Sequence, residues 1–244
     1  MAVSIKSARE IELMREAGKR LAHVHQELEA MIAPGISTWE IDAKGEKLIR
    51  DCGCIPNFLH YNGYPASICV SVNDEVVHGI PRKDRYLKEG DIVSLDAGLI
   101  YKGYHSDAAR THAVGKVSTE AQKLMDVTKQ SFFEGIKMAK EGQHLHDISR
   151  AIEEYVTPYG YGIVRDLVGH GIGTALHEDP QIPNYAQKRR GVRLQAGMTL
   201  AIEPMINAGT WQVRFLRDGW TVVTKDGSLS AHYENTILVT DGEP

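Results

Sequence analysis

Apolar residues recur at helical spacing in two parts of the chain, each part holding a pair of predicted helices. Ser-x-x-Glu capping boxes open both helices of the first pair, and glycine-containing turns follow all four helices. In chain order, the helices are expected from the Ser7–Glu10 box to Pro34-Gly35, from the Ser37–Glu40 box to Gly53, from about Ser118 to Glu141-Gly142, and from about Leu145 to Gly160.

Short β-rich runs follow each predicted helix pair. SICVSV, DIVSLDAGLI and DAARTHAV follow the first pair, and TLAIEPMI, GWTVVT and ENTILVT follow the second. Their bounding Gly, Asn and Asp residues are typical of antiparallel strands. Because helices and strands are segregated within each half, the sequence predicts an α+β fold rather than a parallel βαβ sheet.

The two halves share one sequence offset. LKEGDIVSLD ends at Asp96 and LQAGMTLAIE ends at Glu203, 107 positions later, and Gly35 and Gly142 are separated by the same interval. We therefore predict a single catalytic domain over residues 1–244, made of repeat halves of about 1–115 and 116–244 related by pseudo-twofold symmetry. Two small domains with a site between them remain an alternative.

A tight hairpin is predicted around Lys102-Gly103, with Tyr101 opposite Tyr104. This register places Ala109 opposite Asp96, so Asp107, two residues away, lies on the same face of the sheet as Asp96. A slip of one residue would move the two acids to opposite faces.

Composition excludes several function classes. The 244 residues carry a formal net charge of -4 with a pI of about 6.3, which gives no electrostatic footprint for nucleic acid. No apolar stretch is long enough for a membrane span, and the N-terminal stretch is too charged for a signal peptide. Cys52, Cys54 and Cys69 fit neither a disulfide framework nor a zinc motif. We expect a cytoplasmic protein with no nucleic-acid or membrane partner.

Four acids and one histidine are the candidate metal ligands. Asp96 and Glu203 stand in strongly apolar runs, where a lone carboxylate is costly to bury. Each repeat adds a second acid, Asp107 or Glu234, at the start of a strand-like run. An ordinary ion pair explains any one buried acid, but four at duplicated positions, with the glycine-flanked His170, favour a site for two divalent cations. Oxygen ligands with one imidazole suit Mn, Fe, Co or Zn.

Further polar and aromatic residues stand in turn-rich sequence. His78 in VVHGIP and His177 in ALHEDP are candidates for substrate or oxyanion contacts, although a lone histidine often has an ordinary hydrogen-bonding role. In PNFLHYNGYPASICVS, Phe58, Tyr61 and Tyr64 line either a pocket or the protein's own core. GHGIG lacks the lysine of a phosphate-binding loop.

VHGIP, SLDAGLIYKGYHSD, GHGIG with HEDP, TLAIEPMINAG and SLSAHYENTILVT together resemble the type I methionine aminopeptidases over nearly the whole chain. The resemblance implies the duplicated pita-bread fold of creatinase and aminopeptidase, and a monomeric cytoplasmic enzyme that removes the initiator methionine from nascent chains, including those at the ribosome. Glu203 is the candidate proton shuttle. Two divalent ions would be bound by Asp96, Asp107, His170, Glu203 and Glu234, with His78 and His177 contacting the substrate and reacting amide.

The same resemblance implies a methionine side-chain pocket and a small residue after the methionine. Around this pocket it places Phe58, Tyr61, Tyr64, Cys69, Leu176 and Trp220. Phe58 and Leu176 depart from the residues that bacterial relatives often have there, and His232 replaces a common Gln before the Tyr-Glu pair. Some relatives hold a monovalent cation at the positions of Asn73 and Ser230.

Other protein families with the same fold are expected to show different sequence features. Prolidases and aminopeptidases P share the five ligands but carry a large N-terminal domain; creatinase-like hydrolases lose the metals. Type II methionine aminopeptidases carry a long insertion in the second half, whereas 33 positions separate His170 from Glu203 here. A non-catalytic binding protein would show broken ligands or a basic surface.

Overall fold

The computed structural model describes residues 3–244, with four α-helices, two 3₁₀ turns and fourteen strands. The helices are α1 (Ala8–Glu29), α2 (Thr38–Asp51), α3 (Thr119–Ile136) and α4 (Leu145–Val156); the 3₁₀ turns are Tyr61–Gly63 and Thr157–Tyr159. The strands are β1 (Ile55–Pro56), β2 (Ile68–Val72), β3 (Glu75–Val77), β4 (Ile92–Tyr101), β5 (Tyr104–Ala113), β6 (Gly162–Ile163), β7 (Gly169–Gly171), β8 (Glu178–Ile182), β9 (Thr199–Ile202), β10 (Met205–Asn207), β11 (Val213–Phe215), β12 (Val222–Thr224), β13 (Ser230–His232) and β14 (Glu234–Leu238).

The predicted helix starts are confirmed by their caps. Ser7 accepts a hydrogen bond from the Glu10 amide, and the Glu10 carboxylate accepts one from the Ser7 amide. Ser37 and Glu40 form the same reciprocal pair at α2. Each box satisfies two amides that the first helical turn leaves without backbone partners.

Three helices end earlier than the sequence predicted. α4 ends at Val156 instead of near Gly160, because the chain tightens into the 3₁₀ turn Thr157–Tyr159. α1 ends at Glu29, because the amides of Met31 and Ile32 bond three residues back, in a tighter turn, before Pro34. α3 ends at Ile136 instead of near Glu141, whose amide bonds to the carbonyl of Thr240 in the C-terminal segment. After Ile136 the chain forms turns that lead into this backbone pairing instead of a further helical turn.

The main sheet joins strands from the first and second halves of the chain through antiparallel pairs. Its strand order is β1-β4-β5-β14-β9-β7-β8, with β2 also paired to β4. Two three-stranded sheets, β13-β10-β6 and β11-β12-β3, flank it. The predicted run TLAIEPMI is split into β9 and β10 at Glu203-Pro204, so Glu203 lies in the connection between two strands.

Alternate residues of the central strands face opposite layers. Leu95 and Leu99 of β4 belong to the apolar core beneath α1 and α2, and Leu200 and Ile202 of β9 belong to the core beneath α3 and α4. The residues between them along each strand, including Asp96, point away from the helices. The four helices thus support one face of the sheet, and the candidate ligands lie on the other.

Among residues 3–244, no helix combines the length and apolarity required to cross a bilayer.

Candidate metal centre

The five predicted ligands meet on the face of the main sheet opposite the helices. Asp96 and Glu234 both pair with Ala109 of β5, one from β4 and the other from β14. Asp107 lies opposite Gly98, and its amide donates to Thr236 of β14 at 3.0 Å. Because opposed residues share a face and small residues stand between the acids, the carboxylates surround an open space.

His170 completes the group from β7, opposite Ala201 of β9. Its Nδ1 is 2.8 Å from the carbonyl oxygen of Gly171, which can only accept, so Nδ1 carries the proton. Nε2 is left as an acceptor and lies 3.6 Å from Oε1 of Glu203. Burial lowers the pKa of His170 to about 4, so the ring is neutral, the form in which imidazole binds metals.

Within residues 3–244, no lysine or arginine forms an ion pair with these carboxylates, although the charge of Arg110 lowers the pKa of Glu234 slightly against the other effects. Burial, followed by the charges of Asp107 and Glu203, raises the pKa of Asp96 well above its usual value; burial raises that of Asp107 to about 7. The pKa of Glu203 and that of Glu234 are raised by burial and then by the charge of Asp107.

Several buried oxygens of these acids also lack hydrogen bonds to the part of the chain that the structure describes. One carboxylate oxygen each of Asp96, Asp107 and Glu234 is buried without a hydrogen-bond partner among the described residues. Oδ or Oε atoms of Asp107 and Glu234 lie within 4.8 Å of each other and of a nitrogen of His170, a spacing that one cation can bridge. Such oxygens, with a neutral imidazole, fit a divalent metal ion.

All thirteen site residues named from the sequence line one cavity of about 260 Å³. One part of its wall is the ligand group. The rest is formed by His78, His177, Phe58, Tyr61, Tyr64, Cys69, Leu176 and Trp220, together with Asn62, which the sequence analysis did not single out. Asn62 lies next to Tyr61 in a turn, where no periodic pattern reveals which side chains face a cavity.

The two predicted substrate-contacting histidines stand on different walls of this cavity. His177 lies against His170, with ring centroids 4.3 Å apart, and its Nδ1 is 2.8 Å from the Tyr61 hydroxyl. His78, at φ 57°, follows β3 and faces Trp220 with centroids 6.3 Å apart. Burial lowers the pKa of His78 to about 4 and also lowers that of His177, so both rings are neutral near pH 7.

An apolar cluster forms another part of the cavity wall and meets the acids at Cys69, which pairs with Asp96 across β2 and β4. Phe58, Cys69 and Leu176 are buried there with Tyr64, and Trp220 packs edge-on against Tyr64 at 5.1 Å. The Tyr64 hydroxyl donates to the carbonyl of Gly79 at 2.9 Å, so its polar atom is satisfied inside the wall. Burial raises the pKa of the Cys69 thiol, which is therefore neutral and behaves as a small apolar group.

Three further residues from the sequence analysis can also be located in the structure: Asn73, Ser230 and His232. The amide of Ser230 donates to the carbonyl of Asn73 at 2.9 Å, so these two are adjacent, while their binding of a monovalent cation stays a prediction. His232 is buried beside Glu203 and Glu234. Its spacing of two from Glu234 is the signal that could have predicted this, because residues i and i+2 of an extended chain share a face.

Comparison with known proteins places this arrangement among metallopeptidases. The profile of metallopeptidase family M24 matches residues 12–241. The chain is 53% identical to a methionine aminopeptidase from Clostridium acetobutylicum over 242 residues, covering 99% of this chain and 97% of that protein. It is 52% identical to methionine aminopeptidase 1 of Bacillus subtilis, covering 97% and 95% of the two chains.

Solved structures agree with the sequence relatives. A methionine aminopeptidase from Thermotoga maritima superimposes with a TM-score of 0.97 at 46% identity, over 99% of this chain and 97% of that one. A prolidase from Pyrococcus furiosus shares the fold alone, at 23% identity and a TM-score of 0.77; the match covers 98% of this chain but 63% of the prolidase.

Proposed function

The chain belongs to metallopeptidase family M24, and we propose that its carboxylate-lined cavity removes the N-terminal methionine from proteins and peptides. Its relatives at 43–53% identity over nearly the whole chain are methionine aminopeptidases, which makes it a metallo-aminopeptidase of the pita-bread fold. The observation that carries the reaction is the cavity itself, whose wall combines four acids and His170 with an apolar cluster.

The acids and His170 would hold two divalent cations, with Asp96, Asp107, Glu203 and Glu234 supplying the oxygens. Divalent cations bound there supply Lewis acidity, which acidifies water and polarises a peptide carbonyl. The buried carboxylates would be fully ionised only with that positive charge beside them, because burial and their mutual repulsion otherwise favour protonation. The ligand chemistry suits Mn, Fe, Co and Zn alike.

Glu203 would move the proton. It lies in the break between β9 and β10, where its carbonyl oxygen accepts a hydrogen bond from Asn184 at 3.0 Å, so its backbone is fixed while its carboxylate faces the cavity. A carboxylate with a raised pKa can accept a proton from attacking water and return it to the leaving amine.

His177 and His78 would position the peptide. When the Tyr61 hydroxyl donates to Nδ1 of His177, the proton of that ring is on Nε2, where it can be donated to a carbonyl oxygen that gains negative charge. His78 would contact the peptide from the wall shared with Trp220. Both rings are neutral, so they donate without adding a positive charge beside the cations.

The apolar cluster would select methionine. Phe58, Cys69 and Leu176 offer no charged partner, so a lysine side chain would lose its hydration there, whereas an unbranched thioether fits. The cavity is small, and little room remains for the next side chain, which favours alanine, glycine or serine at that position.

Hydrolysis of tripeptides tests this proposal directly. Chelator-treated protein should release methionine from Met-Ala-Ser only after Mn, Co, Fe or Zn is restored, and should leave Lys-Ala-Ser intact. Glu203→Gln should reduce kcat by roughly 100- to 10,000-fold because it removes the proton carrier. The exposed Glu27→Gln serves as a matched control. Release of alanine from Ala-Pro-Ala instead would indicate an aminopeptidase P, and no turnover with any metal would contradict an enzymatic role.

We further propose that the substrates are the N-termini of nascent chains, including those at the ribosome, and that one chain acts as a monomer in the cytoplasm. The methionine aminopeptidase relatives support the first point through their activity. Association with ribosomes, tested by co-sedimentation, stays a prediction.

A further inference from the structure

His232 is a buried histidine that the proposed reaction does not use. It ends β13, two residues before Glu234, and its side chain is 2% exposed. Thr111 fixes its backbone from both sides: the hydroxyl accepts from the His232 amide at 2.8 Å and donates to the His232 carbonyl at 2.9 Å. The backbone that carries the buried ring is therefore fixed to β5.

Neither ring nitrogen of His232 has a hydrogen-bond partner among the described residues. Nε2 instead faces the acids, 3.6 Å from Oε2 of Glu234 and 4.0 Å from Oε2 of Glu203. Hydrogen bonds to oxygen are about 2.7–3.2 Å long, so these separations are too great for direct donation. A buried imidazole with no partner is costly, which indicates that something is to be placed between the ring and the carboxylates.

The ligand atoms around Nε2 fit a cation. One nitrogen of His232 and one oxygen each of Asp96 and Glu234 lie within 4.8 Å of one another. A second group with the same limit consists of Asp107, His170 and Glu234. Glu234 is common to both groups, and each group contains one imidazole.

We propose that His232 is a sixth protein ligand of the metal centre and coordinates the cation on the Asp96 side through Nε2. The centre then has two sites of similar composition, His232 with Asp96 and Glu234, and His170 with Asp107 and Glu234. This inference rests on the two-cation centre of the proposed function. It assigns an imidazole to the site that the five other ligands would leave with oxygen donors alone.

The added imidazole changes which ions the second site prefers. Carboxylate-only sites suit Mn²⁺ and Mg²⁺, whereas imidazole suits Zn²⁺, Co²⁺ and Fe²⁺. Replacement of His232 by Gln, which offers an amide of similar reach, should weaken binding of the second Co²⁺ by at least tenfold and that of Mn²⁺ less. A residue that only orients Glu234 could lower affinity to the same extent, so affinity alone does not decide the role.

Paramagnetic proton NMR of the dicobalt protein distinguishes the two roles by counting ligated imidazoles. Each coordinated ring with a protonated remote nitrogen gives one strongly shifted exchangeable N–H signal. We expect two such signals in the unaltered protein, one in His232→Gln, and two in His177→Gln, whose ring lies near the centre without being a ligand. Histidine labelled with ¹⁵N confirms that the signals are imidazole N–H groups.

The cobalt content, measured on the same samples, shows whether a negative result contradicts the sixth ligand alone or the two-cation centre as well. Two cobalts per chain with one imidazole signal would overturn the sixth ligand and leave the proposed function intact. One cobalt with one signal would overturn the sixth ligand together with the two-cation premise. The count in the unaltered protein decides between these outcomes even if His232→Gln fails to fold.

Discussion

Asp96 and Asp107 lie diagonally across a single hairpin, on the face of the sheet opposite the helices. Asp96 pairs with Ala109 and Asp107 with Gly98, and both acids are held by the continuous β4-β5 ladder. Burial raises the pKa of each carboxyl group, and the charge of Asp107 raises that of Asp96 further. Without a cation, the fold therefore carries an electrostatic penalty between two acids whose backbone positions are fixed by the strand register.

Replacing Asp107 by Asn should stabilise the metal-free protein while abolishing its activity. The raised pKa, about 7 against an unfolded value near 3.8, means that the folded state binds more protons than the unfolded state between these values. Stability is thus lost as pH rises through that window, and the Asp107→Asn variant would escape the loss because its amide does not titrate. In thermal unfolding measured with chelator present, the melting temperature of the variant should exceed that of the wild type at pH 8. The two melting temperatures should become equal near pH 4.

The Asp126→Asn variant, changed at an exposed position, is the matched control. Its melting temperature should stay close to that of the wild type at both pH values. If Asp107→Asn were less stable than the wild type in chelator at pH 8, the hydrogen bonding of Asp107 would outweigh the cost of its charge.

Cation binding should release protons and tighten as pH rises. Burial raises the pKa of Asp107 to about 7, so this carboxyl group is partly protonated near neutral pH and must ionise to bind metal. Burial also raises the pKa values of Asp96, Glu203 and Glu234. Calorimetric titration with Mn²⁺ in two buffers of different ionisation enthalpy measures the released protons. Identical apparent enthalpies in both buffers would show that the carboxylates are already ionised before the cation arrives.

The sequence predicted the hairpin register and the ligand group because their signals are local or repeated. A two-residue turn at Lys102-Gly103, both with positive φ, determines the whole β4-β5 pairing, so the shared face of Asp96 and Asp107 follows from counting. The repeat then indicates Glu203 as the counterpart of Asp96. The structure confirms that these residues line one cavity with His170.

Other features depended on contacts between distant segments and could not be predicted from local pattern. Beyond the end of α3, the amide of Glu141 pairs with the carbonyl of Thr240 in the distant C-terminal segment. The spacing of two places His232 on the same face as Glu234, but the hydrogen bond between the His232 amide and Thr111 of β5 joins distant segments and has no local signal. Asn62 reaches the cavity through a left-handed turn with φ 50°, for which its own sequence neighbourhood gives no periodic signal.

Shortening Leu176 should relax selection at the apolar cluster of the cavity. Leu176 is 2% exposed and packs in the cluster with Phe58 and Cys69. Leu176→Ala removes apolar contact worth about 1.5–3 kcal/mol, so kcat/KM for Met-Ala-Ser should fall roughly 10- to 100-fold. The added space should favour a bulkier first residue, and the ratio of Phe-Ala-Ser to Met-Ala-Ser cleavage should rise. An unchanged ratio would place Leu176 outside the side-chain pocket.

Gly98 should be required for cation affinity although it is not a ligand. A Cβ at this position would lie 2.5 Å from Nδ2 of Asn57 and 3.0 Å from Oδ1 of Asp107. Gly98→Ala should therefore displace the Asp107 carboxylate and weaken cation binding by roughly 10- to 100-fold. Isothermal titration measures the loss. Gly18→Ala, whose new Cβ would have 3.9 Å to its nearest neighbour, is the control and should bind normally; equal affinities for both variants would contradict the crowding argument.

His25 should make the protein less stable in mild acid. It lies in α1, where its Nε2 donates to the carbonyl of Ala108 at 2.9 Å and its Nδ1 is buried without a hydrogen-bond partner among residues 3–244. Burial, followed by the charge of Arg110, lowers the pKa of His25 to about 3. The unfolded state therefore binds one more proton than the folded state between pH 6.5 and about 3.

Replacing His25 by Gln keeps a donor for Ala108 and removes this titration. Between pH 6 and pH 4, the free energy of unfolding of the wild type should fall more steeply than that of His25→Gln, by about 1.4 kcal/mol per pH unit. The difference between the two proteins cancels the contributions of the metal-site carboxylates, which titrate in both. Urea unfolding at several pH values in chelator measures the slopes, and His23→Gln, an exposed position on the same helix, should match the wild type. Parallel curves for the wild type and His25→Gln would mean that His25 takes up its proton in the folded state at ordinary pH.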